Sequence, residues 1–417
     1  MIPPDLLANI GLSIFGSYVC FSLIGSYIPI FIQKKMFGRD QCKVERHPIP
    51  EPMGVICAAV YLIIMFMFIP IPFLPWMLGN ETSFPYSHFL AFLSGLLSIC
   101  TAILLGFADD VLDLKWRHKL LFPTLSSLPL LMVYYVSGSS TTIVIPGIAR
   151  YVFSQLVPPT LFQLPSVINI AWLYYVFMGM VVIFCTNAIN IVAGINGIEC
   201  GQSIVIALSI IAFNGVQLWR LNLDSWEHHV SLYILLPFIF TSAALYYYNK
   251  YPARVFVGDT YCYWAGMTLA VVSILGHFSK TLILFLIPQV INFLYSIPQL
   301  FHWVPCPRHR LPKFVPEHNM LEMSMAEFKE SDLKLLGRIS LAIFKFVGFL
   351  HRRDFVKDGE KWVEINNLTI LNLALLWRGP MHEQQLTYTL LLAQILFSLF
   401  AFFIRFHLAG VFYEVVQ

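Results

Sequence analysis

The sequence predicts an all-α polytopic membrane protein: about ten transmembrane helices, with a small cytosolic α/β insertion between the last two. Three observations carry that prediction. Of the 417 residues, 58% are hydrophobic and only 12% charged, whereas a soluble domain carries about a quarter charged residues. Ten apolar segments reach or approach the ~20 residues that cross a bilayer. And the cations are sorted: of 26 Lys and Arg, all but Arg150, Arg220, Lys280 and Arg405 fall in the loops after odd-numbered spans.

The segments run at roughly 7–32, 54–78, 88–107, 120–137, 167–186, 203–219, 230–248, 260–276, 281–301 and 386–409. In the second, the prolines of IPIPFLP (69–75) end or kink the helix. Excess Lys and Arg marks cytosolic loops. The odd loops are therefore read as cytosolic and both termini as lumenal. Asn80, in the sequon Asn80-Glu81-Thr82, then falls on the lumenal side as a glycosylation candidate; Asn367, in Asn367-Leu368-Thr369, falls on the cytosolic side and does not. The first segment is too long for the apolar core of a signal peptide and has no basic flank. The eight cysteines form no C-x-x-C pair and read as small buried hydrophobes.

Three regions follow: 1–301, with nine spans and their cytosolic loops; 302–385, the long ninth loop; and 386–417, with the last span. The ninth loop holds an amphipathic helix candidate at Leu333–Leu350, a hairpin over Asp354–Ile365 turning at Asp358-Gly359, and a short apolar helix at Asn367–Trp377. It is too short to be an enzyme domain by itself.

Polar groups gather at the ends of spans. Glu51 precedes span two in HPIPEPMG. Asp109 and Asp110 close span three in LLGFADDVLD, and Lys119 opens span four. The stretch CTNAINIVAGINGIECG (185–201) closes span five with Asn187, Asn190, Asn196 and Glu199. Asp259 closes span seven in RVFVGDT, and Arg308, His309 and Arg310 follow span nine in PCPRHRLP. The loop parity puts all of them on the cytosolic face.

Each has a plain reading. Asn187 and Asn190 share a helix face, and on their own fit a polar helix end as well as a ligand site. Lys119 alone is a positive-inside anchor. Asp109 beside Asp110 is harder to dismiss: adjacent carboxylates repel, and an acid at a helix C-terminus opposes the macrodipole. Asp259 lies between apolar runs and needs a partner, for which Mg²⁺ is suitable. Arg308 and Arg310, flanking His309 and braced by prolines, form a fork for phosphate or sugar oxygens. His302, Cys306 and His309 lack a fourth ligand and sit among arginines, which argues against zinc. Together, carboxylates and amides for a hard divalent ion, with cations for phosphates, are the equipment of phosphoryl transfer at a membrane surface. A polytopic setting implies a lipid substrate. No P-loop or G-x-G-x-x-G cradle is present, which disfavours an ATP-driven enzyme, and no feature points to nucleic acid. A transporter stays open as another class, although transporters place polar groups near the midplane and often show related halves.

GFADDVLDLKWRHK, CTNAINIVAGINGIE, RVFVGDT and PCPRHR, in that order, resemble the eukaryotic dolichyl-phosphate branch of the polyprenyl-phosphate hexose-1-phosphate transferase superfamily. The resemblance runs from about residue 5 to 415. It implies transfer of GlcNAc-1-phosphate from UDP-GlcNAc to dolichyl phosphate, giving GlcNAc-diphosphodolichol and UMP, the first step of the lipid-linked N-glycan precursor. It further implies a tunicamycin-sensitive, Mg²⁺-dependent homodimer in the endoplasmic reticulum membrane, with its active site on the cytosolic face. Carried over by position, Asn190 and Asp259 are the Mg²⁺ ligands. Asp109, Asp110 and Lys119 complete the catalytic set. Lys119 and the end of span five (Ile183, Phe184, Cys185, Thr186, Asn187, Ala188, Ile189, Asn190 and Ile191) take the dolichyl phosphate. Glu51, Asn196, Arg308, His309 and Arg310 contact UDP-GlcNAc. Arg39, Asp40 and Gln41 match the uridine-side loop by position only. A relative using another nucleotide sugar or polyprenyl phosphate is the alternative within the class.

Overall fold

A computed structural model describes residues 3–408, except 80–82, 113, 115, 139, 146, 158–163, 222–224 and 358; for residues 116–118, 148 and 149 only the backbone is described. Asn80 and Asp358 lie outside the described residues. The chain is mainly helical: α1 (Pro4–Gln33), α2 (Gly54–Phe68), α3 (Leu74–Met77), α4 (Tyr86–Leu112), α5 (Trp116–Val136), α6 (Gly147–Leu156), α7 (Trp172–Ile191), α8 (Ile198–Arg220), α9 (Trp226–Asn249), α10 (Gly258–Leu275), α11 (Ser279–Phe285), α12 (Ile287–Leu300), α13 (Leu335–Val347), α14 (Ile370–Arg378) and α15 (Glu383–Phe403).

All ten predicted segments are helical. Among the described residues, eight spans are long and apolar enough to cross a membrane, and α11 with α12, bent by 74°, makes a ninth. The remaining segment is α10, whose residues from Thr260 to Ile274 are all buried. It runs through the middle of the bundle and packs on α4, α7, α9 and α2. A helix apolar on every side belongs in such a place. Two close approaches allow it. A Cβ on Gly266 would lie 2.3 Å from the Cys185 carbonyl oxygen of α7, and one on Gly106 of α4 would lie 2.7 Å from the Thr260 Cα. Only glycine lets these backbones come so near.

Prolines shape the ends. After Phe68 the chain continues as a 3₁₀ turn (Ile71–Phe73) and the short α3, as the IPIPFLP run requires. The fifth segment, expected from residue 167, starts later. Val167–Asn169 form a strand, β4, paired with β3 (Thr142–Val144), and the helix begins at Trp172. β-Branched Val167 and Ile168 favour the strand locally.

Short antiparallel pairs serve the loops. β1 (Phe37–Arg39) pairs with β2 (Pro48–Pro50), and β5 (Lys313–Val315) with β6 (Met320–Glu322). In the long ninth loop, β7 (Met325–Lys329), β8 (Arg352–Lys357) and β9 (Glu360–Asn366) form a three-stranded sheet in the order β7-β9-β8. This insertion has its own apolar core, including Phe328, Leu341, Val363 and Ile365, closed against Tyr295 of α12. The expected amphipathic helix, hairpin and short helix are α13, β8–β9 and α14.

Candidate functional site

Three helix ends meet at one point. Asp109 and Asp110 stand at the C-terminal end of α4, Asn190 at the C-terminal end of α7, and Asp259 in the first turn of α10. The tight α4–α10–α7 packing brings them together. Asn190 Nδ2 donates to Asp259 Oδ1 at 2.6 Å, and Lys119 Nζ donates to Asp259 Oδ2 at 3.0 Å. Lys119 also pairs with Asp109 Oδ2 at 2.9 Å. One ammonium thus bridges two carboxylates that are 150 positions apart in sequence.

The aspartate pair divides its labour. Asp109 is buried; its Oδ1 accepts the Leu114 N–H at 3.1 Å, and its Oδ2 accepts from Tyr263 at 3.3 Å. Asp110 reaches across to α10, accepting the N–H groups of Asp259 (2.6 Å) and Thr260 (2.8 Å) and the Thr260 hydroxyl (2.5 Å). Those N–H groups belong to the first turn of α10, which has no cap of its own. Asp110 caps another helix. Its place at the C-terminus of α4 is unfavourable for an anion, and the N-terminus of α10 offsets part of that cost.

Beside this cluster lies a cavity of about 280 Å³, lined among others by Gly38, Arg39, Asp40, Gln41, Glu51, Asn190, Gly194, Asn196, Glu199, Phe256, Gly258, Asp259 and Leu311. The cavity wall therefore brings together seven of the predicted residues: Arg39, Asp40, Gln41, Glu51, Asn190, Asn196 and Asp259. The pKa of Glu51 is pushed up to about 7, first by burial and then by the charges of Asp110 and Asp259. Among the described residues, Lys119 is the cation paired with Asp109 and Asp259, and Asp110 and Glu51 add to the negative charge around them. That excess of negative charge and oxygen donors suits a hard divalent cation, and the Asn190 amide oxygen accepts from no described residue.

Other predicted residues sit differently. Arg308 and His309 are exposed and do not line the cavity; Leu311 of the same segment does. Arg310 is partly buried, and burial holds its pKa below the ordinary guanidinium value. Along the end of α7, Ile183, Phe184, Asn187, Asn190 and Ile191 are partly open, whereas Cys185, Thr186, Ala188 and Ile189 are buried. The side chains of those four face the protein interior, and the Cys185–Thr186 backbone lies against Gly266. Asn187 spends its amide on the Ile183 carbonyl at 2.8 Å. Asn196 is held on four sides: Nδ2 donates to Asp40 (2.9 Å), Oδ1 accepts from Ala253 N (2.9 Å), its N–H donates to Glu383 (2.7 Å), and its carbonyl accepts from Thr387 (3.0 Å). Glu199 accepts the Gly194 N–H at 3.0 Å and braces the turn before α8. Gly194, with φ at +101°, lines the cavity, and a Cβ there would strike Leu311 at 2.2 Å.

Sequence reading passed over two groups. Asp40, Cys42 and Glu383 lie within metal-ligand reach of one another. Lys43, however, sits among them, pairing with Asp40 at 3.3 Å and closely with Glu383. Burial and the two carboxylates push the Cys42 thiol up to about 12. Lys43 does a cation's work there, and the group anchors Asn196. The second group ties down the end of α7. Gln202 Nε2 donates to the carbonyls of Ile189 (3.1 Å) and Val192 (2.8 Å), Gln289 bridges Gln202 to Gln394, and Asn292 donates to the Ile191 carbonyl. Glutamines spread over three helices carry no short motif. Only their apolar surroundings flagged them, since a buried amide needs a partner.

Comparison with known proteins points the same way. The model of glycosyl transferase family 4 matches residues 92–277. The chain is 41% identical to the UDP-N-acetylglucosamine–dolichyl-phosphate N-acetylglucosaminephosphotransferase of Schizosaccharomyces pombe, over 98% of this chain and 93% of that one. It is 39% identical to the enzyme of the same name from Saccharomyces cerevisiae, over 96% and 91%. A probable undecaprenyl-phosphate N-acetylglucosaminyl 1-phosphate transferase of Bacillus subtilis is 23% identical over 57% of this chain and 64% of its own.

Proposed function

We infer the chemistry of this chain from its family: it belongs to the UDP-N-acetylglucosamine–dolichyl-phosphate N-acetylglucosaminephosphotransferases, within glycosyl transferase family 4. It transfers GlcNAc-1-phosphate from UDP-GlcNAc to dolichyl phosphate, giving GlcNAc-diphosphodolichol and UMP. The observation that carries this reading is the convergence of Asp109, Lys119, Asn190 and Asp259 beside the cavity. The finer assignments are proposals: Mg²⁺ dependence, an endoplasmic reticulum location with the site facing the cytosol, a homodimeric state, and the roles of individual residues.

Asp259 and the Asn190 amide oxygen are proposed to hold the Mg²⁺. A bound divalent ion would neutralise diphosphate oxygens and favour in-line displacement. Lys119 offsets the charge of the attacking phosphate. The partly open face of α7 (Ile183, Phe184, Asn187, Asn190 and Ile191) is the approach for the dolichyl end. The nucleotide sugar takes the cavity, with Arg39, Gln41 and Glu51 on its walls. Asp40 and Asn196 serve it by fixing the wall behind, and Arg308 and Arg310, with His309 between them, are proposed to reach its phosphates from the segment that carries Leu311.

An oxygen of dolichyl phosphate attacks the sugar-linked phosphorus, a new P–O bond forms, the bond to UMP breaks, and UMP leaves with the electron pair. A phosphate monoester is already largely dianionic near neutral pH, so attack needs little deprotonation. This suits an aspartate pair whose oxygens are occupied: Asp109 holds Lys119, and Asp110 holds the first turn of α10.

The test is UMP release by the purified protein in detergent with dolichyl phosphate and Mg²⁺, comparing UDP-GlcNAc with UDP-GalNAc. Release that needs dolichyl phosphate and prefers UDP-GlcNAc is the expected result. Equal use of both sugars would remove the GlcNAc assignment, and transport of intact UDP-GlcNAc into liposomes without UMP would remove the enzyme reading.

A further inference from the structure

α13 is apolar on two opposite sides. One side, Gly337, Leu341 and Phe344, packs into the insertion's core. The other, Leu335, Leu336, Ile339, Ile343, Phe346 and Val347, is open, and Phe346 is 94% exposed. At about 100° per residue these six side chains fall within one arc of about 120°. Lys334, Arg338 and Lys345 line one border of that arc.

The depth of the helix decides what covers this stripe. Phe344 packs on Tyr295 with ring centres 5.0 Å apart, and the Tyr295 hydroxyl donates to the Phe349 carbonyl at 2.5 Å. Tyr295 belongs to the last two turns of α12, inside the bent span 279–300. α13 is therefore fastened to the part of a span that reaches the membrane surface, not held out above it. Leu294 and Phe301 at the same end of α12 are also exposed, at 55% and 53%. Trp377 adds an exposed aromatic beside the end of α13, donating to the Gly348 carbonyl at 3.1 Å.

We propose that α13 is an interfacial helix, its exposed stripe seated in the lipid of the membrane leaflet that borders the insertion, with Lys334, Arg338 and Lys345 at the level of anionic headgroups. A basic amphipathic helix flanked by aromatics has the chemistry for that position. The consequence reaches the site. α14 follows the insertion's sheet, and Asn372 of α14 donates to the Arg310 carbonyl at 2.8 Å. Seating α13 in lipid thus steadies the segment that carries Arg308–Leu311 against the cavity.

The experiment uses the full chain in nanodiscs of phosphatidylcholine with a minor share of phosphatidylserine. Phe346→Cys and, as a control on β8, Arg353→Cys are each labelled with a small fluorophore. The background is taken from the unsubstituted chain, whose own cysteines are buried or half-buried. Brominated lipid should quench the Phe346 label several-fold more than the Arg353 label, and aqueous iodide should show the reverse order. Ile339→Ser with Ile343→Ser should leave thermal stability in detergent unchanged, because these side chains touch no core, yet lower lipid quenching at Phe346 by about twofold or more. Strong iodide quenching with none by lipid at Phe346 would place the stripe in water. Protection from both quenchers would mean a second protein copy covers it. Either result overturns the proposal.

Discussion

Asp110 shows how a residue's neighbours in sequence can mislead about its role. Beside Asp109 it reads as half of a carboxylate pair working on a cation or a proton. In space it is the missing cap of α10, with three donors converging on it. Asp110→Ala would strand two buried N–H groups and a hydroxyl. We expect a stability loss of about 1–3 kcal/mol, together with loss of activity as Asp259 moves; unchanged thermal unfolding in detergent would refute the capping role. Glu51 allows a test in pH. Its pKa lies at about 7, above the ordinary 4.5, because burial and the charges of Asp110 and Asp259 disfavour its anion. Its contribution to stability is therefore full below pH 4.5 and is lost as pH rises through about 7. Glu51→Gln cannot ionise and escapes that loss. Measured with a chelator present, the variant should gain stability relative to the parent between those pH values, then level off. A difference that stays flat across pH would mean Glu51 is not perturbed.

At the scale of elements, the site depends on how closely α10 lies against α4 and α7. The carbonyl of Cys185 would sit 2.3 Å from a Cβ at Gly266. Gly266→Val should therefore force α7 and α10 apart, abolishing activity and lowering the unfolding temperature in detergent; retention of both would show that the packing is loose. The end of α7 is held from behind by Gln202, whose amide bridges two carbonyls beside Asn190. Gln202→Leu keeps an apolar side chain of similar size but leaves those carbonyls unpaired. The expected signature is a higher Mg²⁺ concentration at half-maximal rate, partly restored by Gln202→Asn, which keeps an amide donor. A fall in rate with no change in Mg²⁺ requirement would indicate a merely structural role. Neither device stood out in the sequence. Gly106 and Gly266 look like ordinary small residues of spans, and Gln202, Gln289 and Gln394 are 192 positions apart from first to last. What could be read was each polar group's place at a helix end, because lipid leaves such groups few other positions.

For the whole molecule, hydropathy exposed the spans, since it follows from the solvent rather than from packing. All ten predicted segments are helices, and the insertion's helix, hairpin and helix arrive in the expected order. Hydropathy could not separate α10 from its neighbours, because a helix wrapped in protein and one wrapped in lipid are equally apolar. Nor could it give the bend between α11 and α12, or the exposure of Arg308 and His309, which depend on long-range contacts. The assembled molecule sets Asp259 and Asn190 in the wall of a cavity, next to the partly open face of α7, and on the proposed reading a soluble donor meets a lipid acceptor there. Central to it is the claim that Asp259, with Asn190, holds the metal that the transfer needs. The most direct test is the initial rate of UMP release by purified Asp259→Ala across a Mg²⁺ titration, on protein that unfolds at the parent's temperature. A rate about a thousandfold below the parent's at every Mg²⁺ concentration, roughly 4 kcal/mol of barrier, is the expected result. Near-parental turnover at low Mg²⁺ would contradict it.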